Sequence, residues 1–273
     1  MMIDQHTALY GVVGWPLKHS LSPLMHNVAF CTLGLNAVYL AFETSDLQGC
    51  IHAMRTIGIK GMSVTMPHKS AMIPLLDEVD EMAKRIGAVN TVVNHEGRLI
   101  GYNTDATGAL EALKEKIEPC GKSCLMIGAG GAARAIGFIL KDHGAILTVT
   151  NHTPARGEDL ARSLECPFVP WEEIGNAQAD LLIQTTPVGM HPREEECPIP
   201  GDMLKQGMVV MDIIYNPPET RLLRVARSRD CLTINGLRMF IHQGAEQFRL
   251  WTGLKAPFRE MTLAVEHALR RSR

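Results

Sequence analysis

The sequence lacks the features that would mark a membrane protein, a nucleic-acid-binding protein or a disulfide-rich protein. None of its apolar runs approaches the length of a membrane span. The formal net charge of the 273 residues is only −2, which does not indicate nucleic acid or an anionic membrane as a partner. The seven cysteines are scattered and include no Cys-x-x-Cys pair. We therefore expect neither a disulfide framework nor a metal site.

The start of the chain, MMIDQHTALYG, also lacks the basic segment followed by an apolar one that is typical of a signal peptide. Together with cysteines that we interpret as reduced thiols, this predicts a cytoplasmic protein. Hydrophobic residues make up 46% and charged residues 21% of the chain, which is ordinary for a soluble globular protein. Such a composition supports one large core or two smaller ones.

Strand-like and helix-like patterns alternate along the chain, which predicts an α/β fold. In the first 116 residues we expect strands at 8–13, 37–42, 61–66 and 99–103, and helices at 47–57 and from Thr104 or Asp105 to Lys116. Another helix should begin with Ser22 as its N-cap and Pro23 at its first position, and should end at Gly34. Leu24, Val28 and Leu33 would form its buried face.

A cluster of turn-forming residues at 118–121 then offers a boundary between two domains. Further strands are predicted after it, at 123–127, 145–150, 181–185 and 208–213. The strand at 123–127 is almost entirely apolar, as expected in the middle of a parallel sheet. The tail from Met239 to Arg270 is predicted to be helical and amphipathic.

A glycine-rich turn directly follows the strand at 123–127. Gly128, Gly130 and Ala133 have the Gly-x-Gly-x-x-Ala spacing, and a helix is predicted to start there. A loop without side chains lets backbone amides approach a pyrophosphate, and a helix N-terminus favours negative charge. In this strand–turn–helix context the motif predicts a dinucleotide site. The alternative is a tight turn that simply requires small residues.

The end of the next strand indicates which dinucleotide is bound. An NAD site usually has an acidic residue there, but this strand is followed by Asn151, His152 and Thr153. A carboxylate would repel a 2′-phosphate, whereas Asn151 and Thr153 can form hydrogen bonds with one and Arg156 can supply charge. We therefore predict NADP. Thr153 would also cap a helix that begins at Pro154, and Arg156 would also be an ordinary surface residue.

Lys69 is a candidate proton carrier. In GMSVTMPHK an alternating strand-like run stops at Pro67, and Lys69 follows two residues later. In the first turn of a helix, the positive end of the helix dipole would disfavour the ammonium form, and desolvation would act in the same direction. Such a lysine could exchange a proton near neutral pH. An exposed lysine at a helix start is the alternative interpretation.

Asp105 and two serines follow other predicted strands. The carboxyl ends of strands in an open α/β sheet share one edge, where ligands bind, so the carboxylate of Asp105 is expected near Lys69. Ser20 and Ser22 would place two hydroxyls beside a helix N-terminus, which suits a small carboxylate. Asp105 and Ser22 would also be ordinary N-cap residues.

Together these segments resemble the shikimate dehydrogenase family, and the resemblance covers nearly the whole chain. Apart from the glycine-rich turn, it rests on GWPLKHSLSP at 14–23 with His26 and Asn27, VTMPHK at 64–69, GAVNT at 87–91, GYNTD at 101–105, DIIYNP at 212–217 and HQGAEQF at 242–248. Several motifs in the right order are far more specific than any one of them.

The resemblance implies a two-domain α/β fold. An N-terminal α/β substrate-binding catalytic domain at 1–105 would be completed by C-terminal helices at 239–273, and a Rossmann-like NADP-binding domain would occupy 106–238. It also implies the reversible, NADPH-dependent reduction of 3-dehydroshikimate to shikimate in aromatic amino-acid (chorismate) biosynthesis. The enzyme would be a monomer or a homodimer, with a small molecule as its only other partner.

The resemblance further implies roles for individual residues. Lys69 would carry the proton, with Asp105 as its partner. The substrate would be bound by Ser20, Ser22, Thr65, Asn90, Tyr215 and Gln243. The cofactor would be bound by Gly128, Ala129, Gly130, Gly131, Ala132, Asn151, His152, Thr153, Arg156, Thr186, Gly236 and Met239. Met239 would serve equally well as a core methionine.

Three positions, His152, Ser63 and Gln184, depart from the family's usual pattern, and the first two bear on ligand binding. His152 stands where an arginine normally contacts the 2′-phosphate, and a histidine is mostly neutral at pH 7. We therefore expect NADP to bind more weakly, with Arg156 close by to supply positive charge. Ser63 stands where many members have asparagine, which leaves one contact with a substrate hydroxyl open.

Two other functions are open from the sequence. A quinate or quinate/shikimate dehydrogenase would use NAD, but the missing acid after Val149 argues against an NAD preference. A non-catalytic nucleotide-binding sensor on the same fold would not need Lys69 and Asp105. The presence of both residues, with the two serines, argues against a sensor.

Overall fold

The computed structural model describes residues 3–17, 20–176 and 179–271. Its contacts divide the chain into two compact units. One unit, which we call the split unit, consists of residues 1–104 and 243–273, and the other, the continuous unit, consists of residues 105–242. None of the helices within the described ranges combines the length and the apolar character needed to cross a membrane.

The helices and strands alternate as predicted. The first elements are β1 (Ala8–Gly14), α1 (Ser22–Thr32), β2 (Ala37–Glu43), α2 (Leu47–Thr56), β3 (Gly61–Val64), β4 (Glu78–Val79), α3 (Glu81–Ile86), β5 (Thr91–His95), β6 (Arg98–Tyr102) and α4 (Thr104–Lys114). The remaining elements are β7 (Ser123–Ile127), α5 (Gly131–Asp142), β8 (Ile146–Thr150), α6 (Pro154–Leu164), β9 (Leu181–Gln184), β10 (Val209–Asp212), α7 (Arg221–Ser228), β11 (Leu232–Ile234), α8 (Gly236–Thr252) and α9 (Phe258–Arg271).

The split unit contains a six-stranded mixed sheet in the order β2-β1-β3-β5-β6-β4. Strand β1 runs parallel to β2 and β3, whereas β5 is antiparallel to both of its neighbours. The pairing of β3 with β5 places Ser63 opposite Thr91. This antiparallel strand was not predicted, and it brings residues from two separate motifs side by side.

The continuous unit contains a five-stranded sheet in the order β11-β10-β9-β7-β8, and all of its strand pairs are parallel. The prediction of a parallel sheet is thus confirmed. Its register aligns Ile127, Thr150, Gln184 and Asp212 at the carboxyl ends of four adjacent strands. The loops that follow these strands therefore start from the same edge of the sheet, where open α/β sheets bind ligands.

The predicted face of α1 is wrong, although its position and its end at Gly34 are correct. Leu24 and Leu33 are each 40% exposed, whereas Met25, Ala29 and Phe30 are buried. Helix α1 packs against both β2 and α9. Its buried face also includes a histidine, so counting only apolar residues placed the face incorrectly.

The tail is helical, as predicted, and consists of two helices, α8 and α9. Gly253 lies between them with φ of +70°, a left-handed conformation that glycine adopts without strain. Pro257 directly precedes α9, where it has no amide hydrogen to donate to a preceding turn.

Candidate active site

Ser20 and Ser22 lie at the amino end of α1. Ser22 is the first residue of the helix and Leu21 occupies the N-cap position, so the prediction that Ser22 is the cap is wrong. The backbone amide of Ser22 donates to the hydroxyl oxygen of Ser20 at 3.4 Å. The first turn contains no acidic residue, and the N-cap residue Leu21 makes no side-chain capping bond. Two hydroxyls at such a helix N-terminus form a suitable environment for an anion.

Lys69 lies in a series of turns after β3, not in a helix. The amide of Met72 donates a hydrogen bond to the carbonyl of His68 at 2.9 Å, which closes a turn around Lys69. A short 3-10 turn follows at Ile73–Leu75. The predicted helix is therefore wrong, and the dipole argument for Lys69 does not apply. The segment is held by contacts distant in sequence, since the amide of Val89 donates to the carbonyl of Lys69 at 2.9 Å.

Thr65 and His68 connect this segment to neighbouring parts of the split unit. The backbone amide of Thr65 donates to the carbonyl of Val13 at 3.0 Å, which extends the pairing of β3 with β1. The ring of His68 is buried, and its Nε2 lies 2.8 Å from the carbonyl oxygen of Thr44. This hydrogen bond connects His68 to the loop after β2. Thr65 and Lys69 are partly buried.

Asn90 is a buried residue directly before β5, and its side chain is held by two threonines. Its Oδ1 accepts hydrogen bonds from the hydroxyl of Thr91 at 2.8 Å and from the amide of Thr104 at 2.7 Å. Its Nδ2 donates to the hydroxyl of Thr104 at 3.1 Å. These bonds fix the orientation of the amide, and Thr104 begins α4, whose second residue is Asp105.

Asp105 lies inside the first turn of α4, because the helix begins at Thr104. Of the two starts predicted for this helix, Thr104 is correct. A carboxylate in the first turn interacts favourably with the positive end of the helix dipole. The side chain is partly buried.

A buried hydrogen-bond network centred on Gln247 lies next to Asn90. The Oε1 of Gln247 accepts from the hydroxyl of Ser63 at 2.9 Å, and its Nε2 donates to the hydroxyl of Thr91 at 3.0 Å and to the carbonyl of Asn90 at 3.2 Å. The hydroxyl of Tyr39 donates to Ser63 at 2.6 Å. Ser63, which departs from the family's pattern, therefore uses its hydroxyl in bonds within the split unit.

His26 completes this network. Its Nε2 lies 3.2 Å from Oε1 of Gln247, and its ring stacks on that of Tyr39 with centroids 4.6 Å apart. Since Gln247 offers an acceptor oxygen there, Nε2 carries the hydrogen. Complete burial lowers the pKa of His26 to about 3, although the bond to Gln247 partly offsets this effect. Burial raises the pKa of Tyr39. Both side chains are thus neutral at physiological pH.

Gln243 is buried on α8, one helical turn before Gln247. Residues four apart share a face of a helix. The sequence motif at 242–248 had singled out Gln243 as the ligand, and the spacing was the available signal for Gln247. No local pattern indicated that Tyr39, Ser63 and His26 would meet it.

The glycine-rich turn joins β7 to α5. Gly128 has φ of +112°, and a side chain there would collide with the hydroxyl of Thr185. A Cβ at Gly130 or Gly131 would meet no atom within 4 Å. Gly130 is the N-cap of α5, and no side chain caps that helix or places an acid in its first turn. The space above a bare helix N-terminus fits the pyrophosphate of a dinucleotide.

The residues after β8 lie beside this turn, since the amide of Gly128 donates to the carbonyl of Thr150 at 2.9 Å. Thr153 occupies the N-cap position of α6, as predicted, but its hydroxyl makes no capping bond. His152, Thr153 and Arg156 are exposed, and the first turn of α6 has no acidic residue. The side chain of Asn151 donates to the carbonyl of Thr153 at 2.8 Å. The first turn of α6 contains no carboxylate that would repel a phosphate beside these side chains.

Other residues assigned to ligands lie after β9 and on α8. Thr186 is held by the buried side chain of Gln184, whose Nε2 donates to its hydroxyl at 2.8 Å. Met239 is 8% exposed, so its side chain packs mainly against the protein. The ring of Tyr215 stacks on Phe240, with centroids 5.2 Å apart and planes 25° apart. Burial raises the pKa of Tyr215, which keeps the phenol protonated.

Two family models match segments of this chain. The family model described as the shikimate dehydrogenase substrate binding domain matches residues 12–92, and that of the shikimate 5′-dehydrogenase C-terminal domain matches residues 236–266. The shikimate dehydrogenase (NADP(+)) of Moorella thermoacetica is 44% identical to this chain, over 98% of the chain and 96% of its own length.

Two crystal structures are similar over nearly the whole chain. A shikimate dehydrogenase in complex with NADP⁺ has a TM-score of 0.94 and 40% identity, covering 98% of both chains. The shikimate 5-dehydrogenase of Thermus thermophilus in complex with NADP(H) and shikimate has a TM-score of 0.90 and 40% identity, covering 96% of this chain and 100% of its own. The predicted two-domain α/β fold is confirmed, and the chain belongs to the shikimate dehydrogenase family.

Proposed function

We propose that the chain catalyses the reversible, NADP-dependent reduction of 3-dehydroshikimate to shikimate, an oxidoreductase step in aromatic amino-acid biosynthesis. The observation that carries the proposal is the match over 98% of the chain to a relative named shikimate dehydrogenase (NADP(+)). The polar residues of each motif, arranged at strand ends and helix starts, are consistent with it. We assign substrate binding to the split unit and NADP binding to the continuous unit. The boundaries expected at 105 and 239 differ from those between the units, which lie after residues 104 and 242.

In this proposal Lys69 carries the proton and Asp105 orients its amine. The backbone of the split unit supports the pairing. The carbonyl of Lys69 accepts from the amide of Val89, and the side chain of the next residue, Asn90, accepts from the amide of Thr104. Asp105 follows Thr104 directly, so the two segments are anchored to adjacent residues, Val89 and Asn90. In the reduction, the ammonium group gives its proton to the oxygen of the ketone, and in the oxidation the amine takes the hydroxyl proton.

The substrate's carboxylate is bound by the hydroxyls of Ser20 and Ser22 at the N-terminus of α1. Both hydroxyls can donate, and the helix end favours a negative charge. The ring hydroxyls are bound by Thr65, Asn90, Tyr215 and Gln243. Because Thr91 and Thr104 hold the amide of Asn90 in one orientation, that side chain presents a fixed pattern of donor and acceptor to the substrate.

NADP(H) supplies the hydride when it is bound. The uncapped N-terminus of α5, with Gly128, Ala129, Gly130, Gly131 and Ala132, binds its pyrophosphate. Asn151, His152, Thr153 and Arg156 would bind the 2′-phosphate. Thr186, Gly236 and Met239 would also bind the cofactor, with Met239 near the nicotinamide. The absence of an acid from the first turn of α6 supports NADP over NAD.

The proposal is tested by product analysis in the direction of reduction. Purified protein with 3-dehydroshikimate and NADPH should consume NADPH, seen as a fall in nicotinamide absorbance, and chromatography should identify shikimate in equal amount. Consumption of NADPH without shikimate would contradict the assigned substrate. A monomer or homodimer and a cytoplasmic location remain predictions.

Ser20→Ala and Ser22→Ala should each raise the KM for shikimate roughly tenfold, because each removes one hydrogen bond to a charged group. The turnover number should change less, since the carboxylate is remote from the reacting carbon. Steady-state kinetics at saturating NADP⁺ measures both values. A larger fall in kcat than rise in KM would mean that the serines act on the chemistry.

His152→Arg should lower the KM for NADP⁺, by roughly tenfold, because a guanidinium makes charged hydrogen bonds to a phosphate. The KM for NAD⁺, which has no 2′-phosphate, should not change. His52→Arg, at an exposed position on α2, is the matched control and should leave both values unchanged. Equal changes for the two cofactors would show that residue 152 is not at the 2′-phosphate.

A further inference from the structure

Asp212, the last residue of β10, is a fully buried carboxylate. Its Oδ2 accepts a hydrogen bond from the hydroxyl of Thr220 at 2.7 Å, and its Oδ1 accepts one from the amide of Ile214 at 3.1 Å. Burial raises the pKa of Asp212 to about 6, and the two bonds only partly oppose this effect. A buried carboxylate whose hydrogen-bond donors are both neutral contributes little to the stability of the fold. The burial of Asp212 is therefore better explained by a role other than stability.

The bond from Thr220 to Asp212 closes the loop that contains Tyr215. Residues 213–219 lie between the two bonded side chains. Thr220 is 1% exposed and is also the N-cap of α7, where its hydroxyl oxygen accepts from the amide of Leu223 at 3.4 Å. One hydroxyl therefore ties the loop both to the end of β10 and to the start of α7. We call the pair Asp212 and Thr220 the loop clamp.

The other side of the loop lies directly on the start of α8. The amide of Gly236 donates to the carbonyl of Ile214 at 3.1 Å. A side chain at Gly236 would collide with the backbone of Ile213 and Ile214, so only glycine permits this approach. The ring of Tyr215 then stacks on Phe240, one turn along α8. The backbone on either side of Tyr215 and its ring are thus held in place.

We propose that Asp212 and Thr220 are positioning residues that act through Tyr215, by fixing the loop 213–219 so that the phenol hydroxyl meets the substrate. The inference rests on the proposed function, which assigns Tyr215 to the substrate. The chemistry of the clamp fits this role. Both partners of Asp212 are donors, and an ionised carboxylate, which only accepts, can satisfy both at once.

Thr220→Val tests the clamp, because it removes the hydroxyl and largely keeps the shape of the side chain. The kcat/KM for shikimate should fall roughly tenfold, the effect of one lost hydrogen bond of this kind, while the KM for NADP⁺ stays unchanged. Thr220→Ser keeps the hydroxyl and should retain activity close to that of the wild type. Asp46→Ala is the matched control, since it removes the N-cap of α2 in the split unit and should leave kcat/KM unchanged.

A double-mutant cycle separates positioning from general destabilisation. In a Tyr215→Phe background, Thr220→Val should cause no further loss of kcat/KM, because the hydroxyl that the clamp positions is already gone. If the two losses multiply, or if Thr220→Val alone keeps wild-type kcat/KM, the proposal is overturned. Should Thr220→Val not fold, Asp212→Asn replaces it in the cycle, since asparagine offers one acceptor oxygen in place of two and should give a loss in the same direction.

The activity of the wild-type protein shows whether the proposed function itself is wrong. A wild type that oxidises shikimate, combined with variants that behave as the wild type does, overturns the clamp alone. A wild type without activity on shikimate with NADP⁺ or NAD⁺ overturns the proposed function, and the role of the clamp falls with it.

Discussion

Lys69→Ala should lower kcat for shikimate oxidation by a factor of about 10² to 10⁴, the usual contribution of a positioned proton-transfer group. The KM for shikimate should stay nearly unchanged, because the serines and amides that bind the substrate remain. The loss arises because no other group then accepts the hydroxyl proton as hydride leaves for the cofactor. Steady-state kinetics with saturating NADP⁺ measures both constants.

Lys84→Ala is a suitable control for this variant, since Lys84 lies on α3 with 57% of its side chain exposed. It should leave kcat and KM unchanged. Lys69→Ala should also recover part of its activity when a small primary amine is added, because the amine can occupy the space of the missing side chain and carry the proton. Near-normal turnover of Lys69→Ala without added amine would contradict the assignment of Lys69.

Acid should destabilise the protein through His26. The pKa of His26 falls from its ordinary value of 6.5 to about 3 in the folded protein, so between these values the unfolded chain binds a proton that the folded protein does not. Stability from this residue is therefore complete above pH 6.5 and is lost as the pH falls towards 3. The loss is about 1.4 kcal/mol per pH unit, roughly 5 kcal/mol in total.

Asp212 acts in the opposite direction over part of this range. Its pKa is raised from 3.8 to about 6, so its contribution to stability is complete below pH 3.8 and is lost as the pH rises to about 6. The two effects oppose each other between about pH 4 and 6. The test is therefore the difference in the free energy of unfolding between the wild type and His26→Gln, measured by urea denaturation at several pH values.

The variant His26→Gln keeps an N–H donor for Gln247 but cannot titrate. Its stability relative to the wild type should improve steadily as the pH falls below 6.5. His52→Gln, an exposed position on α2, serves as the control and should show no such trend. A difference between His26→Gln and the wild type that does not vary with pH would show that His26 does not resist protonation.

Much of the continuous unit could be predicted from the sequence, because the governing interactions are local. The strand at 123–127 is buried along almost its whole length, and the turn that follows requires glycine at Gly128, where a side chain would collide with Thr185. The same holds for Thr153, whose position before Pro154 marked the start of α6. The prediction that Thr153 uses its hydroxyl as a cap was wrong, since the pattern specifies a position and not a bond.

The split unit was harder to predict, because its key contacts join residues far apart in the chain. The segment around Lys69 does not form the expected helix, as its carbonyl is bonded to Val89 and His68 is bonded to Thr44. Ser63 and Gln247 are separated by 184 positions, and no local pattern relates them. Individual motifs therefore located candidate site residues, but not the buried network that holds Asn90.

We infer that this chain oxidises shikimate with NADP⁺. A comparison of kcat/KM for four pairs, shikimate or quinate with NADP⁺ or NAD⁺, followed by the absorbance of the reduced nicotinamide, tests this inference. We expect the highest value for shikimate with NADP⁺. A highest value for quinate with NAD⁺, or no reduced nicotinamide from any pair, would contradict it.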